Sequence, residues 1–70
     1  MDFGKALRVA QLITGVRSAK LAEQLGVSRQ QIHKWRYKPD ARLSLVVKIS
    51  KELNMEPLSF LELGDDDRYK

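Results

Sequence analysis

The sequence predicts an all-α fold, a compact domain of five short helices, and three observations carry that expectation. Apolar residues recur at three- and four-residue spacing in five successive segments. Between those segments stand Gly15, Gly26, Pro39, Asn54 and Pro57, residue types that end or begin helices. The chain is also 70 residues long and 43% hydrophobic, enough for one small core and no second one.

Each element follows from its own pattern. The first helix covers residues 3 to 14. Phe3, Leu7, Ala10 and Ile13 or Thr14 form its inward stripe, Lys5, Arg8 and Gln11 lie off it, and Gly15 stops it. The second runs from Ser18 to Leu25, capped by Ser18 or the residue before it, with Leu21, Ala22 and Leu25 buried. Ala22 is small where two helices must approach closely. Gly26 ends this helix and Val27 turns into the core. A third helix opens at Ser28, where the spacing to Gln31 predicts a capping box. Ile32 and Trp35 point inward, and Lys38-Pro39 ends the helix, because a residue before proline is pushed out of helical geometry.

The fourth helix is expected from about residue 40 or 41, with Asp40 as its N-cap, to Leu53. Its inward stripe is Leu43, Val46, Ile49 (or Ser50) and Leu53, which leaves Leu45 and Val47 as surplus apolar surface. Asn54 can end it in the left-handed conformation. Pro57 then opens a fifth helix in the first turn, where its missing N–H costs nothing. Leu58 and Leu61 are expected to face the core, leaving Phe60 and Leu63 for a partner. Gly64 closes the domain at residue 64, and residues 65 to 70 read as a flexible, solvated acidic tail.

Composition excludes several classes of function. There is no cysteine, so no disulfide supports this small core, and His33 is the only histidine, so structural zinc and other cofactors are not expected. A catalytic role finds no cysteine nucleophile, no visible pair of carboxylates and no glycine-rich phosphate loop. No apolar run reaches membrane-spanning length, and no signal-peptide pattern opens the chain, so the expected address is cytoplasmic with no membrane partner. The net charge of +4 conceals an asymmetry. Residues 1 to 51 hold eleven Lys and Arg against three Asp and Glu, whereas residues 52 to 70 hold two against six. Between residues 17 and 38, six cations stand against Glu23 alone. A basic body with an acidic end suits a polyanion on one side.

The stretch from Ser18 to Tyr37 concentrates these signals. Its apolar residues pack two helices across the Gly26 turn, and Ser28, Arg29, Gln30, His33, Lys34 and Tyr37 are left on the outer face of the second of them. Such donor-rich side chains read base edges in a DNA major groove. The pattern Leu21-Ala22, Leu25-Gly26-Val27-Ser28, Ile32 and Trp35 resembles the Cro/repressor type of helix-turn-helix of phage and bacterial regulators, a lambda-repressor-like fold. Residues 40 to 63, above all Val47 to Leu53, are similar to that family's fourth and fifth helices, so the resemblance spans nearly the whole chain. It implies a sequence-specific double-stranded DNA-binding transcriptional regulator. The simplest reading is a repressor that acts by occupying an operator, with any control supplied by a separate protein; activation by touching polymerase, through the acidic tail or the fourth helix, is the alternative. Two departures stand out. Where many members place a hydroxyl cap and then a phosphate-gripping glutamine, this chain has Arg17 and Ser18; near the Glu and Gly that follow the members' tryptophan it has Arg36 and Lys38.

The contacts expected of this face divide into two kinds. Arg29, Gln30, His33 and Lys34 lie toward base edges: Arg29 can donate two hydrogen bonds to guanine and Gln30 can pair with adenine. Arg17, Ser18, Lys20, Arg36, Tyr37 and Lys38 are placed for backbone phosphates, and Ser28 for a phosphate or simply the cap. Regulators of this shape pair on palindromes, and Leu45, Val47, Phe60 and Leu63 are the expected homodimer surface. The same apolar residues fit a rival reading, in which the domain is a protein-binding module, an antitoxin or adaptor that holds a protein partner.

Overall fold

A computed structural model describes residues 2 to 69. The first helix, α1 (Phe3–Thr14), is fixed at both ends by side chain and backbone. Asp2 caps its start, with Oδ1 accepting the Lys5 N–H at 3.1 Å, and Gly15 adopts the left-handed conformation (φ 74°) that ends it. After α2 (Ser18–Leu25), Gly26 takes φ 71° and the Val27 N–H reaches back to the Ala22 carbonyl at 3.0 Å. That bond closes the last turn and sends the chain directly into α3 (Arg29–Trp35). Ser28 is the N-cap of α3, its Oγ accepting the Gln31 N–H at 3.1 Å. Only this half of the expected capping box forms.

The second half of the chain adds α4 (Leu43–Glu52), α5 (Pro57–Glu62) and a 3-10 turn at Leu63–Asp65. Asn54 is the one non-glycine residue at positive φ (58°) among the described residues. No strand occurs among the described residues, so the fold is all-α, with principal extents of 30 × 21 × 20 Å. One core unites the elements, built from Phe3, Leu7, Leu21, Ile32, Ile49 and Phe60, all essentially fully buried, with smaller apolar side chains between them. Phe3 and Phe60 meet at 6.0 Å between ring centroids, tilted by 55°, which lies in the range where aromatic pairs attract beyond their buried area.

Several expectations change. Phe60 is not a partner residue: it is 0% exposed, while Leu58, expected in the core, is 67% exposed. On a helix, two residues of separation rotate a side chain by roughly 200°, so once Phe60 turns to Phe3, Leu58 must face out. Leu63 and Leu45 are half-buried and pack on the core, so neither is a free surface residue. Val47 is exposed as expected, and Leu43 joins it outside at 71% instead of lining the stripe. In α1, Ile13 and Thr14 are exposed and Gln11 is buried. α4 begins at Leu43 after Arg42, not near Asp40; the segment before it is tied instead to α1, with the Lys38 and Pro39 carbonyls accepting from the N–H groups of Gly4 and Phe3. Gly64 is buried against Asp2, where any Cβ would collide with the Asp2 carbonyl, and Lys5 Nζ donates to the Asp66 carbonyl at 3.0 Å.

Candidate nucleic-acid interface

Burying Leu21, Ala22, Leu25 and Ile32 turns the opposite sides of α2 and α3 outward. Ser28, Arg29, Gln30, His33 and Lys34 are all exposed there, as are Arg17 and Lys20 at the start of α2. Arg17, Ser18, Arg29, Gln30 and His33 line one shallow groove of about 450 Å³ between the start of α2 and the outer face of α3. Among the described residues, no carboxylate lines it. The groove therefore presents two guanidiniums, an amide, an imidazole and a hydroxyl, a set that donates hydrogen bonds to acceptor-rich surfaces.

The start of α2 shows how Ser18 is placed. The N-cap residue Arg17 makes no side-chain cap bond, so the first N–H groups of α2 depend on other acceptors. Gln11 reaches across from α1, its Nε2 donating to Ser18 Oγ at 3.2 Å and to the Val16 carbonyl at 3.3 Å. Its own Oε1 is buried with no partner, and so is Arg36 Nε. These groups share a second groove of about 580 Å³ in which Arg8, Arg17 and Arg36 stand together. Three like charges in one groove favour an anion. Helix N-termini favour the same kind of guest.

Arg36, Tyr37 and Lys38 depart from the expected placement. α3 ends at Trp35, three residues before the Lys38-Pro39 step, and these three side chains ride on the turn that follows it. Bonds from Tyr37 N–H to the Lys34 carbonyl (3.2 Å) and from Lys38 N–H to the Trp35 carbonyl (3.3 Å) tighten that turn. Arg36 is half-buried, whereas Tyr37 (71%) and Lys38 are exposed. Trp35 is half-buried against the core and also forms one wall of a groove of about 620 Å³ with Lys38, Asp40, Arg42, Ser44 and Lys48.

Sequence reading missed Arg8, Gln11, Arg42 and Lys48 as neighbours of this face. The first two were legible only as residues off the stripe of α1, and the last two as unremarkable cations. No group of three or more metal-binding side chains occurs among the described residues, and no helix among them is long and apolar enough to cross a membrane. No protein-family model, curated protein or solved structure matches the chain.

Proposed function

We propose that this chain is a sequence-specific double-stranded DNA-binding regulator of transcription, a repressor that acts by occupying its operator. The observation that carries the reading is the convergence of Arg17, Ser18, Arg29, Gln30 and His33 on one exposed groove free of carboxylates among the described residues. In this reading α3 enters the major groove with Arg29, Gln30, His33 and Lys34 toward the bases. Arg17, Ser18 and Lys20 meet phosphates on one flank. Tyr37 and Lys38, with Arg42 and Lys48, meet them on the other, and Arg36 serves through the groove it shares with Arg17. Equilibrium binding to duplex DNA across a salt series tests this: affinity should fall by roughly 0.9 log unit per log unit of salt for each phosphate neutralised. Absence of duplex binding, or binding indifferent to salt, contradicts it.

One short recognition helix reads few base pairs, so the reading includes a homodimer with two such helices about 34 Å apart. Leu43, Val47 and Leu58 replace the buried Phe60 as its apolar surface. The same exposed trio favours a second reading, a module that holds a different protein. Sedimentation with and without bound duplex separates the two: pairing on DNA supports the dimer, and a monomer at every concentration removes it.

A further inference from the structure

We infer that Arg8, on α1, is a positioning residue of this interface, holding the turn after α3 so that Tyr37 and Lys38 face a duplex backbone. The inference rests on the DNA-binding reading above. α1 supplies the donors for three carbonyls of the turn and the step after it. Arg8 Nη1 donates to the Arg36 carbonyl at 3.0 Å, the Gly4 N–H to Lys38 at 2.7 Å and the Phe3 N–H to Pro39 at 2.9 Å. The two backbone donors belong to the first turn of α1, where N–H groups have no partner in their own helix. The joint therefore supplies the acceptors that these N–H groups lack. It is also tight: a Cβ on Gly4 would lie 2.5 Å from the Arg36 carbonyl oxygen and 2.8 Å from that of Lys38.

Arg8 supplies the side-chain bond of this joint, and it does a second thing there. Its guanidinium carbon lies 5.2 Å from the centre of the Tyr37 ring, so one planar group fixes the turn's backbone and its exposed aromatic side chain. Tyr37 and Lys38 are exposed, so little packing of their own holds them. A lysine at this position keeps the charge but has neither the planar stacking surface nor the rigid donor fork.

The test is a double-mutant cycle on the full chain with Arg8→Lys and Lys38→Ala, read by affinity for duplex DNA selected from a random pool. Arg8→Lys should weaken binding about five-fold alone and less than about two-fold in the Lys38→Ala background, the signature of residues acting through one another. Amide exchange in the DNA-free protein gives an independent readout: Arg8→Lys should speed exchange at Gly4 and Phe3 while the melting temperature stays nearly unchanged. Equal losses in both backgrounds, unchanged affinity of Arg8→Lys, or unchanged exchange at Gly4 overturns the inference while leaving DNA binding intact. If the unaltered chain binds no duplex, the functional reading falls and this inference falls with it.

Discussion

The α2–α3 and α4–α5 pairs are joined by the same backbone device and carry opposite surfaces. In each, a left-handed residue ends the first helix, Gly26 (φ 71°) in one and Asn54 (φ 58°) in the other. In each, the next N–H reaches back five residues, from Val27 to the Ala22 carbonyl at 3.0 Å and from Met55 to the Ser50 carbonyl at 2.8 Å. The N-cap position of the following helix comes two residues after the left-handed one, at Ser28 and at Glu56. What remains outside differs. The first pair exposes Arg29, Gln30, His33 and Lys34 with no large apolar side chain among them; the second exposes Leu43, Val47 and Leu58 beside Lys48 and Lys51. The turn thus sets the architecture of both pairs and says nothing of purpose, which resides in the side chains left over after the core is filled.

The two pairs are told apart most sharply at Phe60. If α5 docks through Phe60, then Phe60→Ala removes a ring buried against Phe3 and should destabilise the domain by about 3–5 kcal/mol in a urea melt. A loss under about 0.5 kcal/mol, usual for surface positions, would return Phe60 to the outside. Next in size is the functional contrast. Changing Arg29 and Gln30 together to Ala should relax sequence preference by about 1–3 kcal/mol for each base pair no longer read, measured by binding to matched and mismatched duplexes. Lys38→Ala should instead weaken all sequences alike.

The caps sharpen the difference at smaller cost. Ser28 accepts the Gln31 N–H whereas Glu56 makes no side-chain cap bond, so Ser28→Ala should cost about 1 kcal/mol and Glu56→Ala almost nothing in thermal unfolding. The smallest effect lies at the acidic end. Arg68 bonds the Asp66 carboxylate through side chain and backbone and lowers its pKa from the ordinary 3.8 to about 2. Stability from this pair is therefore present above the unfolded value and is lost as pH falls from about 4 toward 2. Asp66→Asn should flatten that part of the acid unfolding curve slightly, since exposed pairs contribute little.

The same two pairs show what a sequence can and cannot reveal. The limits of α1 and α2 and the start of α3 were legible because Gly15, Gly26 and the Ser28 cap act within a few residues of themselves. The exposed face of α3 was legible because Ile32 and Trp35 leave a single stripe to bury. α5 was not. Its six residues carry apolar side chains at 58, 60 and 61, and 63 follows, which allows two stripes, and only Phe3, far away in sequence, decides between them. The start of α4 and the end of α3 were also misplaced, and the segment between them is tied to α1 through the carbonyls of residues 36, 38 and 39, partners that no local pattern marks. Gln11 and Arg8 likewise gain meaning only from partners that tertiary structure brings to them, Ser18 and the turn around Tyr37.

In the proposed reading the α2–α3 pair faces a duplex. Amide chemical shifts of the labelled chain, followed while a duplex selected from random DNA is added, address this directly. The changes should concentrate on residues 17 to 20 and 28 to 38, reach Arg42 and Lys48 on the phosphate flank, and alter the rest of α4–α5 only where copies pair. Changes confined to Leu43, Val47 and Leu58, with Arg29 and Gln30 unmoved, would contradict it.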